Sequence, residues 1–157
     1  MLAARSLTLA VAEGDTGGAL LASLTAVAGS SAVVLGGVVA YHDALKVSLL
    51  GVGPELLQQH GAVSAEAASA MATGVRRVTR ADFGLATTGI AGPAGATLAK
   101  PVGLAYVAAA DGARSLVRMH RWQGDRASNR TQSAEAALAL LLELVQQKIK
   151  DNLEQVC

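Results

Sequence analysis

Residues 7 to 27 confine this chain to a layered α/β architecture. Leu7 to Ala12 is a continuous apolar run of strand length, and Gly14-Asp15-Thr16-Gly17-Gly18 supplies a tight turn. Leu20, Leu21, Leu24 and Val27 then recur at helical spacing. A buried strand leading straight into a helix is the unit from which parallel sheets with covering helices are assembled. Ala32 to Tyr41 is β-branched and continuous, which predicts a second buried strand. Asp43 is placed to cap a helix over Ala44 to Leu50 that Gly51 ends, and Pro54 opens a further short helical turn. Ser64 stands where a cap belongs before a long helix, Ala65 to Val78. A strand follows at Phe83 to Thr88. Val102 to Ala109 and Ser115 to Trp122 then read as a hairpin turning at Asp111-Gly112. From Arg126 to about Lys150, Ala134, Ala137, Leu138, Leu141, Leu142 and Val145 make one apolar helical face. The predicted order β-α-β-α-α-β-β-β-α is a single layered α/β/α domain over residues 1–157 with a mixed sheet.

Composition decides what fills that fold and what it meets. Hydrophobic residues make up 52% of the 157 but aromatics only 3%, so the core is built from Ala, Val and Leu with close backbone approaches. The 13 basic and 12 acidic side chains are dispersed at a net charge of +1, which gives no basic face for a nucleic acid or an anionic membrane. Leu7 to Ala12 is too short for the apolar core of a secretion signal. Thr16 to His42 carries no Asp, Glu, Lys or Arg, yet Gly29-Ser30-Ser31 interrupts it, so no membrane span is expected. A lone cysteine, Cys157, permits no internal disulfide and no cysteine-rich zinc site, which suits the cytoplasm. His42, His60 and His120 are too scattered to form a ligand set, so neither a metal nor a cofactor is expected.

Two glycine-rich loops stand at the carboxyl ends of strands, where ligands of layered α/β folds bind. Glu13 to Gly18 ends at a helix start whose free N–H groups suit a phosphate, although the same residues make an ordinary strand-to-helix turn. Gly89-Ile90-Ala91-Gly92-Pro93-Ala94-Gly95 excludes regular structure. With no Lys-Ser/Thr after its glycines, and Pro93 where a binding helix would continue, it is neither a Walker A loop nor a Rossmann fingerprint. Tyr41 and Lys46 lie about one helical turn apart, and a lysine beside an apolar pocket can lose solvation and act as a general base; the alternative is a surface charge. Gly124-Asp125-Arg126 and Arg130 either present guanidinium groups to a phosphate or begin a charged helix.

Taken in order, Ala12-Glu13 with Thr16-Gly17-Gly18, Gly29-Ser30-Ser31, Tyr41 with Lys46, His60-Gly61-Ala62-Val63-Ser64, Thr88-Gly89-Ile90-Ala91-Gly92-Pro93, Lys100-Pro101-Val102-Gly103 and Gly124-Asp125-Arg126 resemble the C-terminal domain of the competence- and damage-inducible CinA family. The resemblance covers nearly the whole chain. It implies a metal-free nicotinamide mononucleotide amidohydrolase of pyridine-nucleotide salvage, which releases ammonia and leaves nicotinic acid mononucleotide. It also implies Tyr41, Lys46 and Thr88 as catalytic residues. Together with the helix start at Thr16, Gly17 and Gly18 and the guanidinium groups of Arg126 and Arg130, Ser30, Ser31 and Gly89 are expected to bind a small-molecule mononucleotide. A homo-oligomer is expected from the same resemblance.

The family's first motif normally reads Ala-Glu-Ser-Cys-Thr-Gly-Gly, with the serine as nucleophile. Here Gly14 takes the serine position and Asp15 the cysteine position. Loss of such a nucleophile costs on the order of a million-fold in turnover. His42-Asp43 also stands where Ser-Asn is usual, and the helix that commonly precedes the first strand is almost absent. Two outcomes are therefore open: residual hydrolysis through Asp15 or Lys46 activating water or Thr16 as a displaced nucleophile, or a binding or structural module without chemistry.

Overall fold

The computed structural model describes residues 1–154, so Cys157 lies outside the described residues. Its elements are β1 (Leu9–Glu13), α1 (Ala19–Thr25), β2 (Val34–Val39), α2 (Asp43–Leu50), α3 (Pro54–His60), α4 (Ala65–Thr79), β3 (Phe83–Gly89), β4 (Leu104–Ala110), β5 (Ser115–Arg121) and α5 (Arg126–Glu154). The sheet runs β2-β1-β3-β4-β5. β1 pairs in parallel with β2 and β3, while β3, β4 and β5 pair antiparallel, so the sheet is mixed as expected.

Alternation along the central strands sorts the core into two layers. Leu9, Val11, Phe83, Leu85 and Val107 pack with Leu20 of α1 and Leu140, Leu141 and Leu144 of α5. The intervening Ala10, Ala12, Ala86, Ala108 and Ala110 face Met71, Ala72 and Val75 of α4 and Leu50 of α2. Large side chains therefore fill the α5 side, and small ones let α4 lie close to the sheet. Gly84 and Gly74 carry that economy to its limit, because a Cβ on Gly84 would meet the Ala72 carbonyl and one on Gly74 the Leu50 carbonyl.

Local caps explain most boundaries. Gly51 ends α2 in the left-handed conformation at φ 67°, and Pro54 opens α3 at its first turn. Ser64 caps α4 by accepting from the Ala67 amide at 3.1 Å. At α2 the expectation needs correcting: His42 is the capping residue, its Nδ1 accepting from the Ala44 amide at 3.2 Å, and Asp43 is the first helical residue. β2 also differs from the buried strand expected. It is an edge strand with Leu35 and Val39 half exposed, since neighbours cover only one side of it. α1 stops at Thr25, before Val27, which is exposed. Among the described residues no helix is long and apolar enough to cross a membrane.

Candidate functional site

The carboxyl ends of the parallel strands β1 and β3 open side by side, with the start of α2 opposite them, and a pocket of about 250 Å³ forms there. Gly14 and Asp15 extend β1, Thr88 and Gly89 end β3, and Tyr41, Asp43 and Lys46 arrive from the β2–α2 side. Ala62 and Val63 precede α4, the loop from Ile90 to Gly95 forms a rim, and Arg126 enters from the first turn of α5. Residues from five separate stretches of sequence thus converge on one volume.

Lys46 is 3% exposed, and its Nζ donates to the Asp43 carboxylate at 3.0 Å. The Thr88 hydroxyl donates to the Ala62 carbonyl at 2.7 Å, which fixes its oxygen at the end of β3. The Gly14 amide donates to the Thr87 carbonyl at 2.9 Å, so the turn after β1 is held against β3. A Cβ built on Gly14 would stand 3.6 Å from Thr88 Oγ1.

Asp15 is 8% exposed, and its Oδ1 is buried without a hydrogen-bond partner among the described residues. Burial pushes its carboxyl up from 3.8 to about 6, and the charge of Glu13 adds slightly; the backbone amides of Asp15 and Thr16 and the Ser133 hydroxyl nearby pull it back only in part. Gly89 is required beside it, since a Cβ there would come within 2.7 Å of Asp15 Oδ2.

Thr16, Gly17 and Gly18 do not line this pocket. The start of α1, expected to receive a phosphate, is already filled by the chain's own anion: Glu13 accepts from the Thr16 hydroxyl at 2.7 Å and from the amides of Gly18, Leu20 and Leu21 at 2.8, 3.1 and 2.8 Å. Thr16 is fully buried, also shares a 2.7 Å hydrogen bond with the Thr87 hydroxyl, and has no access to a substrate as a displaced nucleophile. Arg130 is drawn into the same brace, donating through Nε and Nη2 to the Thr16 carbonyl at 3.1 and 2.6 Å. Ser30 and Ser31 sit in a short turn of 3-10 helix before β2, Ser31 exposed, and neither reaches the pocket.

The structure therefore brings together Gly14, Asp15, Tyr41, Lys46, Thr88, Gly89 and Arg126, and places Thr16, Gly17, Gly18, Ser30, Ser31 and Arg130 elsewhere. Sequence reasoning missed Glu13 as the helix-filling anion. A carboxylate immediately before a glycine-rich helix start was the available signal. Asp43 as the partner of Lys46 was also legible, at i and i+3 on one helix.

A larger groove of about 550 Å³ runs between α2, α3 and α4, lined by Leu50, Leu56, Ala70 and Gly74 with Glu66 and Arg77. The Arg77 guanidinium is bound to the Leu50 carbonyl at 3.1 Å, and among the described residues no set of buried polar groups converges there, so the smaller pocket is the stronger candidate site. Among the described residues no cluster of three or more His, Cys, Asp or Glu side chains is placed to hold a metal ion.

With this geometry the chain matches the family model described as the CinA C-terminal domain over residues 1–145. A CinA-like protein of Syntrophus aciditrophicus is 48% identical over 143 residues, covering 90% of this chain and 34% of that protein. One of Geobacter sp. (strain M21) is 52% identical over 126 residues, covering 80% of this chain and 30% of that protein. The chain thus spans about a third of the length of the curated relatives it matches. Among solved structures, competence/damage inducible protein CihA from Agrobacterium tumefaciens superposes with a TM-score of 0.89 at 40% identity, covering 91% of this chain and 88% of that one. A CinA superfamily protein from Escherichia coli gives 0.87 at 32% identity, covering 91% and 83%.

Proposed function

The chain belongs to the CinA C-terminal domain family, and from that premise we propose that it binds a nicotinamide-type mononucleotide in the pocket at the ends of β1 and β3, with carboxamide hydrolysis impaired or lost. One observation carries this reading. Lys46, Thr88, Tyr41 and Arg126 converge on a single pocket, while position 14, facing Thr88, has no side chain with which to attack an amide. The side chains that the resemblance names at this pocket are retained without a nucleophile. The place of action is the cytoplasm, where pyridine nucleotides are salvaged.

Arg126 is the phosphate partner in this reading, because it lines the pocket whereas Arg130 lies outside it on the Thr16 carbonyl. Leu35 and Val39 on the edge strand β2 are exposed apolar side chains, which supports self-association along that edge. Sedimentation velocity tests the self-association directly, a monomer at all concentrations counting against it.

The functional test is ammonia release from nicotinamide mononucleotide beside calorimetry of its binding. Binding with turnover several orders of magnitude below a typical enzyme's roughly 10 per second is the expected result. Turnover within about tenfold of that value would overturn the loss of catalysis, and no binding at millimolar concentrations would overturn the nucleotide pocket.

A further inference from the structure

Among the described residues, Asp15 Oδ1 is the only buried side-chain polar atom without a hydrogen-bond partner. Lys46 holds Asp43, Thr88 holds the Ala62 carbonyl, and Arg126 holds the Gly92 carbonyl and the Tyr41 hydroxyl. Asp15 differs: its carboxyl is more than nine-tenths buried, lines the pocket, and leaves Oδ1 without a donor. Such a group is costly to keep unless a hydrogen-bond donor, a cation or a proton reaches it. The space left by Gly89 accommodates the carboxyl as it stands, since a Cβ there would come within 2.7 Å of Asp15 Oδ2.

We propose that Asp15 is the selectivity residue of this pocket, its carboxylate accepting a hydrogen bond from the NH2 of a ligand's carboxamide and excluding the corresponding carboxylic acid. This deepens the proposed function and rests on it for the identity of the ligand. A carboxamide offers two N–H donors, which suit an unpartnered carboxylate. A carboxylate in the same place offers only acceptors and sets two anions together out of water. With Asp15 protonated the discrimination relaxes, since the carboxyl can then donate to the acid. The other charged groups of the site are Asp43 and Lys46 on α2, Arg126 on α5 and, behind Asp15, Glu13 on β1, with the Tyr41 phenol at the rim.

The test is the ratio of affinities for nicotinamide mononucleotide and nicotinic acid mononucleotide, measured by calorimetry at pH 8 and pH 5 on the wild type and Asp15→Asn. Both ligands share ring, ribose and phosphate, so those contributions cancel in the ratio. The His42 imidazole is common to both proteins and drops out of their comparison. The wild type is expected to favour the amide at least about tenfold at pH 8, with the preference shrinking at pH 5. In Asp15→Asn the ratio should fall toward one and lose its pH dependence. Equal wild-type affinities at pH 8, or an undiminished ratio in Asp15→Asn, overturns the assignment while leaving the nucleotide pocket intact. Failure of the wild type to bind either ligand overturns both. The wild-type pair of pH values tests the proposal even where the variant does not fold.

Discussion

Arg126 Nη2 donates to the Tyr41 hydroxyl at 2.9 Å, and Nη1 of the same guanidinium donates to the Gly92 carbonyl at 2.8 Å. One side chain at the start of α5 thereby joins the segment after β2 to the loop after β3, and it does so on the pocket's rim. Arg130, one turn further along the helix, points its guanidinium at the loop after β1 instead. The two arginines are thus separated by role although adjacent on the helix.

Arg126→Ala is therefore expected to weaken mononucleotide binding about ten- to a hundred-fold, the effect of losing roughly 1.5 to 3 kcal/mol of charge-assisted hydrogen bonding. Arg130→Ala should lower thermal stability and leave binding within a few-fold. Lys46→Ala should change binding less than Arg126→Ala. Calorimetry on the three variants checks the ranking, and a larger loss from Arg130→Ala than from Arg126→Ala would reverse it.

Asp15 makes stability depend on pH in a definite direction. Its carboxyl titrates at about 6 in the fold against 3.8 when free, because burial disfavours the charge. Between those values the folded state keeps a proton that the unfolded chain releases, so stability falls as pH rises from about 4 to 6, and the cost is complete above that. The shift corresponds to about 3 kcal/mol. Asp15→Asn should be more stable than the wild type at pH 8 by about 1 to 3 kcal/mol, since the amide has its own buried groups to satisfy, with the advantage gone by pH 4. Urea unfolding at the two pH values measures this, and an advantage that does not change with pH would count against the buried charge.

Glu13 has the opposite character, a fully buried carboxylate with four donors at the head of α1. Glu13→Gln keeps the size but turns an amide NH2 toward backbone N–H groups. It should cost about 2 to 4 kcal/mol. Denaturant unfolding would show it, and a loss below about 1 kcal/mol would mean that α1 is held by other contacts.

What was legible in the sequence follows the strength of local signals. β1, α4 and α5 were readable from unbroken apolar runs and periodic faces, and Gly51, Pro54 and Ser64 from cap and turn chemistry. The edge position of β2 was not, because a Val-rich run looks alike at the centre or the margin of a sheet, and only pairing decides. The same limit applied to the site. Tyr41 and Lys46, far from Thr88 in sequence, line one pocket with it. Thr16 was assigned to a ligand because its motif suggested a free helix start, which a side chain five residues before Gly18 had already filled, and Arg130 as a guanidinium for phosphate, which the Thr16 carbonyl takes instead. Which of several possible partners takes a donor is a tertiary outcome, invisible to spacing.

Position 14 offers the strongest test of how much active-site geometry remains. Gly14 does not have a positive φ, so a serine there meets no backbone strain. Its Cβ would lie 3.4 Å from Thr88 Cα and 3.6 Å from Thr88 Oγ1, with the Thr87 carbonyl at 3.1 Å as the one tight contact, which a shift of a few tenths of an ångström relieves. The hydroxyl would then stand beside Thr88 in the pocket that holds Lys46. If the proposed function holds, Gly14→Ser with Asp15→Cys is expected to raise ammonia release from nicotinamide mononucleotide at least about a hundred-fold over the wild type, since a positioned nucleophile is worth far more than that. Gly14→Ser alone should recover less, because the buried Asp15 charge disfavours an oxyanion developing beside it. A double variant that melts like the wild type and still releases no ammonia would place the lesion elsewhere, with His42 and Asp43 at the start of α2 the first positions to restore.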